Sequence, residues 1–270
     1  MKSIPTRILK ASLILLGLCG GLAARCSVAQ TPAVQSAAKP VLVELFTSEG
    51  CSSCPPAEAM ALKMEKQVVP GADLIILEEH VDYWNQYGWI DPFSSGVWTQ
   101  RQQEYVSKLA NGNPYTPQMV VDGESQFNGS DGRSAEAAIQ NVLRAPETQV
   151  SITEASPDPG NSGDFKISVG KLEGDANGDV ADVWLAVTQD GLHSSVSRGE
   201  NAGHTLYHAA VLRSLHKIGV AKAGSDAAFT GDARVKINSK WDRKDVNVVV
   251  FVQDKKTLRI LGAASLKLAS

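Results

Sequence analysis

The chain has 270 residues, of which 43% are hydrophobic and 20% are charged, a composition typical of a soluble globular protein with one large or two small domains. Its formal charge of −3 at pH 7 provides none of the excess positive charge with which proteins bind phosphate backbones. The sequence therefore argues against a nucleic-acid partner.

The N-terminus is typical of a cleaved signal peptide. Basic residues precede an apolar run from residue 11 to 24, and Ser27 and Ala29 stand at the −3 and −1 positions of a cleavage site. A membrane anchor is the alternative, but the run is shorter than the roughly 20 residues of a spanning helix. We therefore expect a signal peptide over residues 1–29, a disordered lead over 30–39, and a periplasmic or secreted protein that leaves the membrane after cleavage.

Cleavage leaves Cys51 and Cys54 as the two cysteines of the exported chain. Disulfides persist in exported compartments, but a cross-link that closes so short a loop adds little stability. Reactivity therefore explains the pair better than stability does. A metal half-site and an inert surface pair are the alternatives that the spacing leaves open.

The first half of the exported chain alternates between strand and helix patterns. Strands are predicted over 41–46, 74–77 and 115–123, and helices over 56–67, 99–110 and 134–143. This alternation predicts an α/β domain over residues 40–146. From residue 147 to 270 short alternating runs, at 165–169, 183–187, 234–237 and 246–252, predict a second, mainly β, sandwich-like domain.

The two cysteines fall between the first predicted strand and the first predicted helix. Unpaired backbone N–H groups and the helix dipole stabilise a thiolate at such a helix N-terminus, and the thiolate is the form that attacks disulfides. We expect Cys51 to form the mixed disulfide with a substrate and Cys54 to resolve it. Thr116 and Pro117 precede an apolar strand, where a cis proline at the mouth of a redox site is one interpretation and a trans proline is the other.

These motifs resemble known proteins at two levels. Strand, Cys-x-x-Cys, helix and a later Thr-Pro are similar to the thioredoxin-like superfamily. The closer resemblance is to the secreted bacterial family called domain of unknown function 1223, carried by ELFTSEGCSSCPPAE (44–58), HVDYW (80–84), YTPQMVVDG (115–123) and SRGEN (197–201). The resemblance implies a thioredoxin-like fold for the α/β domain and thiol–disulfide chemistry without a cofactor, while the closer family implies no settled activity. Gly50 and the Ser52-Ser53 dipeptide depart from common thioredoxin motifs and leave the direction of electron flow open.

Acidic residues flank the cysteine motif. By the same resemblance, Glu44 is a candidate buried carboxylate that moves the proton of the resolving thiol, and an edge-facing or ion-paired glutamate is the alternative. Glu58 is expected to be a solvated surface charge. We therefore take Glu44, with Cys51, Cys54 and Pro117, as the catalytic candidates.

Substrate-binding candidates follow from position and residue type. Thr116 precedes Pro117, and His80 ends the second predicted strand, where it would tune Cys51, help hold a metal or merely cap backbone groups. Tyr83 and Trp84 begin an aromatic segment that either lines a peptide groove or packs onto the core. The other aromatic residues of the segment are Tyr87, Trp89, Phe93 and Trp98. His204 and His208 have metal-ligand spacing on a helix, but no nearby ligand completes that site, so no metal is predicted.

The favoured hypothesis is an exported thiol–disulfide oxidoreductase that acts on protein or peptide thiols and disulfides and needs no cofactor. A Cu(I)-binding protein that uses the two thiolates and His80 is the second hypothesis. The third is a non-enzymatic adaptor whose cysteines form a local structural disulfide. The sequence leaves the oligomeric state open.

Overall fold

The computed structural model describes residues 38–110, 112–156, 162–173 and 180–269. The predicted signal peptide and residues 30–37 of the predicted lead lie outside these ranges. The described residues contain thirteen β-strands and three α-helices. None of these helices combines the length and the apolar character needed to cross a bilayer.

The first half confirms the predicted order of strands and helices. Its elements are β1 (Lys39–Thr47), α1 (Pro55–Lys66), β2 (Ala72–His80), α2 (Gly96–Tyr105), β3 (Gln118–Val121), β4 (Ser125–Asn128) and α3 (Gly132–Val142). Ser95 caps α2 by accepting from the amide of Val97, and Asp131 caps α3. A π-helical turn, Val106–Ala110, extends α2.

The second half consists of strands. They are β5 (Val150–Ser156), β6 (Ser162–Gly170), β7 (Val180–Gln189), β8 (His193–Ser195), β9 (Thr205–Tyr207), β10 (Val211–Lys222), β11 (Ala227–Lys236), β12 (Val246–Asp254) and β13 (Ile260–Lys267). All four strand segments predicted here overlap one of them.

One mixed sheet of eight strands, in the order β13-β12-β7-β10-β2-β1-β3-β4, joins the two halves. Strand β2 runs parallel to β1 on one side and to β10 on the other, where Val211 pairs with Glu78. The predicted fold class, a thioredoxin-like α/β domain followed by a mainly β sandwich-like domain, is therefore wrong. The described residues are mostly β, with few helices. Four of the nine strands after residue 147 extend the sheet of the first half, namely β7, β10, β12 and β13. Hydrophobic periodicity identifies a strand but not its partner.

The core follows the continuous sheet. One buried cluster joins Leu42 of β1 and Leu77 of β2 to Leu212, Phe251 and Ile260 from the second half. A three-stranded sheet, β11-β6-β5, and the β8-β9 hairpin complete the fold. β1 and β2 end at the same edge of this sheet, and the loops that follow these two strands contain the candidate site.

Candidate functional site

The cysteine motif leaves the sheet directly after β1. In the antiparallel pairing of β1 with β3, Phe46 lies opposite Gln118. Pro117, which directly precedes β3, therefore lies beside the end of β1, at the same edge of the sheet as the cysteine loop. This pairing brings together two motifs that are more than 60 residues apart in sequence.

Cys51 and Cys54 form a disulfide in the turn before α1. Helix α1 begins at Pro55 and Cys54 is its N-cap, so the residue at the helix end is Cys54, whereas the sequence placed Cys51 there. The side chain of Cys51 lies 3.4 Å from the hydroxyl of Ser53. Both cysteines have an exposed fraction of 0%, so a substrate reaches the sulfur atoms only after the surrounding loops move.

Trp84 connects the cysteine loop with the proline loop. A Cβ atom placed on Gly50 would lie 3.2 Å from the Cβ of Trp84, and the indole Nε1 of Trp84 donates to the hydroxyl of Thr116 at 2.7 Å. The Thr116–Pro117 peptide bond is cis, which is one of the two interpretations that the sequence allowed. Trp84 thus links Thr116 and Pro117 to Gly50, the residue before Cys51.

A loop from the second half, residues 197–201, also contacts the disulfide loop. The amide Nδ2 of Asn201 donates to the carbonyl oxygens of Glu49 (2.9 Å) and Cys51 (3.0 Å). The carboxylate of Glu200 accepts from the backbone amide (3.2 Å) and the hydroxyl (2.6 Å) of Ser52. Residues about 150 positions away in sequence therefore hold the cysteine loop in place.

Glu44 is buried in β1 and ion-paired. Its two carboxylate oxygens accept from the Nε of Arg101 and the hydroxyl of Tyr105, each at 2.5 Å. The guanidinium also lies 3.6 Å from Glu79, and burial raises the pKa of Glu79 well above its ordinary value. The structure therefore shows the ion-paired alternative for Glu44, and its role as a proton carrier stays a prediction.

A chain of alternating carboxylates and imidazoles lies in the interior behind the cysteine loop. It consists of Asp91, His80, Glu78, His208 and Glu49, all at most 2% exposed. The four contacts measure 2.7 Å, 3.1 Å, 2.8 Å and 3.1 Å in that order. We call these five residues the histidine–carboxylate chain.

The ends of this chain are anchored to the cysteine loop. The second carboxylate oxygen of Glu49 accepts from the indole of Trp89 at 2.7 Å, and the amide of Glu49 donates to Asp91 at 2.8 Å. Since Glu49 lies two residues before Cys51, the contacts of the histidine–carboxylate chain help to hold the cysteine loop in position.

The ionisation of the chain follows from its contacts. Burial lowers the pKa of His80, but the carboxylates of Asp91 and Glu78 outweigh burial and hold it well above its ordinary value. Burial likewise opposes the protonation of His208, yet hydrogen bonds to Glu49 and Glu78 raise its pKa to about 9. Burial would raise the pKa of Glu78, but both imidazoles lower it to about 2.

Glu58 corrects a prediction from the sequence. It was expected to be a solvated charge, but it is 2% exposed and accepts from the hydroxyl of Thr47 at 2.7 Å. Burial, together with the negative charge of Glu78, raises the pKa of Glu58 to about 7. The prediction failed because the face of α1 that carries Glu58 packs onto the sheet.

The substrate-binding candidates fall into two groups. Tyr83 is partly buried and its hydroxyl donates to Gln102 at 3.2 Å, while Trp84 and Thr116 lie beside the disulfide. His80, in contrast, is fully buried, and its two ring nitrogens face Asp91 and Glu78. The copper hypothesis, which needs His80 beside the thiolates, therefore gains no support from this contact pattern.

Sequence reasoning missed Glu49, Glu78, Asp91 and Asn201. The run Glu78-Glu79-His80 at the end of an apolar strand was the available signal, because charged residues are rarely buried without partners. His208 was paired with His204 by spacing, but His204 is exposed and β9 intervenes between them.

The chain is similar to known proteins in both sequence and structure. The family model described as "Protein of unknown function (DUF1223)" matches residues 42–253. A solved structure of protein AGR_C_4864 from Agrobacterium tumefaciens is similar with a TM-score of 0.63 and 28% identity, covering 84% of this chain and 93% of that one. HBP35 of Porphyromonas gingivalis shares the fold with a TM-score of 0.63 at 18% identity, covering 85% of this chain and 75% of that one. Among curated proteins, none matches this chain.

Proposed function

This chain belongs to the family of proteins of unknown function DUF1223, and from that premise we propose that it is an exported thiol–disulfide oxidoreductase acting through Cys51 and Cys54. The observation that carries the proposal is the Cys51–Cys54 disulfide in the turn before α1, in a loop that Trp84 links to Thr116 and the cis Pro117. Export is supported by the signal-peptide pattern of residues 1–29.

The position of the disulfide suits exchange chemistry. Cys54 is the N-cap of α1, and the helix dipole favours negative charge at this end of the helix. The dipole therefore stabilises a thiolate on Cys54, which makes Cys54 the better leaving group when a substrate thiolate attacks Cys51. In the oxidising direction, a substrate thiolate attacks one sulfur of the pair, a mixed disulfide forms and the other cysteine leaves as thiolate. A second substrate thiolate then resolves the mixed disulfide, so that the substrate is oxidised to its disulfide and Cys51 and Cys54 are reduced.

Substrates of this chemistry are protein or peptide thiols and disulfides. Trp84 and the partly buried Tyr83 provide aromatic surface beside the disulfide, as peptide-binding surfaces commonly do. Because both sulfur atoms are buried in the resting structure, the loop 197–201 or the aromatic segment must move before the substrate binds.

The first test is the reduction potential of the cysteine pair. The exported chain is equilibrated in glutathione buffers, alkylated and weighed by mass spectrometry. We expect a reversible two-electron couple between about −120 and −270 mV, the range of known exchange catalysts. A potential below about −300 mV would identify a structural disulfide instead and overturn the proposal.

A trapping experiment tests the individual roles of the cysteines. With a peptide disulfide as substrate, reduced Cys54→Ala should accumulate a mixed disulfide at Cys51, because the resolving thiol is absent. The matched variant, Cys51→Ala, should accumulate much less. Equal trapping by the two variants would contradict the assignment of Cys51 as the nucleophile.

A further inference from the structure

We propose that Glu78, His80 and His208 form a binding site for one divalent transition-metal ion of the Zn²⁺ type. The site lies in the interior of the protein, within the histidine–carboxylate chain, and uses neither cysteine. The inference is independent of the proposed redox function.

The three side chains converge on one point. The Nε2 of His80 and the Nδ1 of His208 lie 3.1 Å and 2.8 Å from the same oxygen, Oε1 of Glu78. All three ligand atoms lie within 4.8 Å of one another. Zinc ligands at 2.0–2.2 Å in tetrahedral geometry are separated by roughly 3.3 Å, so small shifts would place an ion between these atoms. Two imidazoles and one carboxylate are the protein ligands of some zinc sites in enzymes, where water takes the fourth position.

Each imidazole is supported from behind by a carboxylate. The Nδ1 of His80 contacts Asp91 at 2.7 Å, and the Nε2 of His208 contacts Glu49 at 3.1 Å. Metal-binding histidines characteristically donate their second N–H to such a group, which fixes the ring orientation. The remaining oxygen of Glu78 accepts from the amide of Ala209 at 2.9 Å. The ligands are therefore held in one orientation whether or not an ion is present.

The surroundings of the two imidazoles also suit a divalent cation. Every ring nitrogen of His80 and His208 faces a carboxylate oxygen. The three carboxylates of the histidine–carboxylate chain are buried, so their negative charge would compensate that of a cation bound between the imidazoles.

Burial determines how the ion enters. Glu78, His80 and His208 are all 0% exposed, so the folded protein offers no open path along these side chains. The ion is therefore expected to bind as the chain folds, as structural zinc does. Once bound, it would tie β2 to the segment before β10 and support the cysteine loop through Glu49.

The test is refolding in the presence of zinc. The chain without its predicted signal peptide is unfolded with a chelator, refolded with or without ZnCl₂, freed of excess metal and analysed for bound zinc. The Cys51→Ala/Cys54→Ala double variant is used throughout so that thiolates cannot bind the metal. We expect about one zinc per chain and a higher Tm for the zinc-loaded protein, because an ion that binds only the folded state stabilises it.

Two matched histidine variants locate the ion. His208→Asn keeps a polar group near the Nδ1 position but removes the ligand, and it should lose the bound zinc and the Tm difference. His204→Asn changes an exposed histidine four residues away and should retain both. If His208→Asn does not fold, the double cysteine variant is refolded with Co²⁺ and its absorption spectrum is measured. Nitrogen and oxygen ligands give characteristic ligand-field bands, so the spectrum shows whether protein side chains bind the metal.

Three outcomes would overturn the proposal. They are the absence of bound zinc after refolding, zinc binding that survives His208→Asn, and a Co²⁺ spectrum without bands from protein ligands. Each would mean that the histidine–carboxylate chain is a purely hydrogen-bonded network of imidazolium and carboxylate groups. None of these outcomes bears on the reduction potential of the cysteines, so the two proposals fail separately.

Discussion

Asp122 shows how one buried side chain makes stability depend on pH. It directly follows β3, is 6% exposed, and accepts from the amide of Leu42 at 2.7 Å. Burial raises its pKa from 3.8 to about 7, although the hydrogen bond from Leu42 opposes the shift. Its φ of 46° lies in the left-handed region, which Asn adopts as readily as Asp. Asp122→Asn therefore changes the charge while preserving the backbone conformation and an acceptor oxygen.

Asp122→Asn is expected to stabilise the protein at about pH 8 but not at about pH 4. A carboxyl group whose pKa is higher in the folded state than in the unfolded state keeps its proton to a higher pH when the protein is folded. Its contribution to the stability of the folded state is therefore lost as the pH rises from about 4 to about 7. The Tm of the variant relative to wild type should rise by a few degrees across this interval, since about 1 kcal/mol corresponds to roughly 2–4 °C for a chain of this size. The exposed Asp226→Asn is the control, and an equal difference at both pH values would contradict the prediction.

At the scale of elements, the loop 197–201 controls access to the disulfide. Asn201 is 6% exposed and its two hydrogen bonds join this loop to Glu49 and Cys51. Asn201→Ala removes both bonds, each with a net value of about 1 kcal/mol. We expect dithiothreitol to reduce the Cys51–Cys54 disulfide roughly thirtyfold faster in this variant, because opening of the loop costs about 2 kcal/mol less free energy.

The control for this prediction is Arg198→Ala, which changes an exposed residue of the same loop. Its reduction rate should stay near that of wild type. Circular dichroism and the Tm verify that both variants are folded. A folded Asn201→Ala protein that is reduced at the wild-type rate would show that a different segment limits access.

At the scale of the whole molecule, the shared sheet makes the two halves depend on each other. Without the second half, β2 would expose the edge that pairs with β10, and Leu42 and Leu77 would lose Leu212 and Phe251 as buried neighbours. A fragment of residues 38–146 is therefore expected to lack a cooperative thermal transition, whereas residues 38–270 should unfold in one. Cooperativity is tested by following thermal unfolding with tryptophan fluorescence and with circular dichroism, because the two curves coincide in a cooperative transition. A fragment that melts cooperatively would instead support the domain boundary predicted after residue 146.

The sequence predicted the local elements and the position of the cysteine pair. β1, α1, β2 and α3 were recognised because hydrophobic periodicity and turn residues act over a few positions. The placement of Cys51 and Cys54 between a strand and a helix followed for the same reason, since both elements are adjacent to the motif.

The tertiary structure alone decided which strands pair and which polar side chains meet in the interior. The β2–β10 pairing and the contact of His208 with Glu78 join residues about 130 positions apart, and no local pattern encodes either. The burial of Glu58 likewise depends on the packing of α1 against the sheet. Local sequence determines the conformation of a segment, whereas the partners of a buried charge depend on how distant segments pack together, because burial requires the whole core to exclude water.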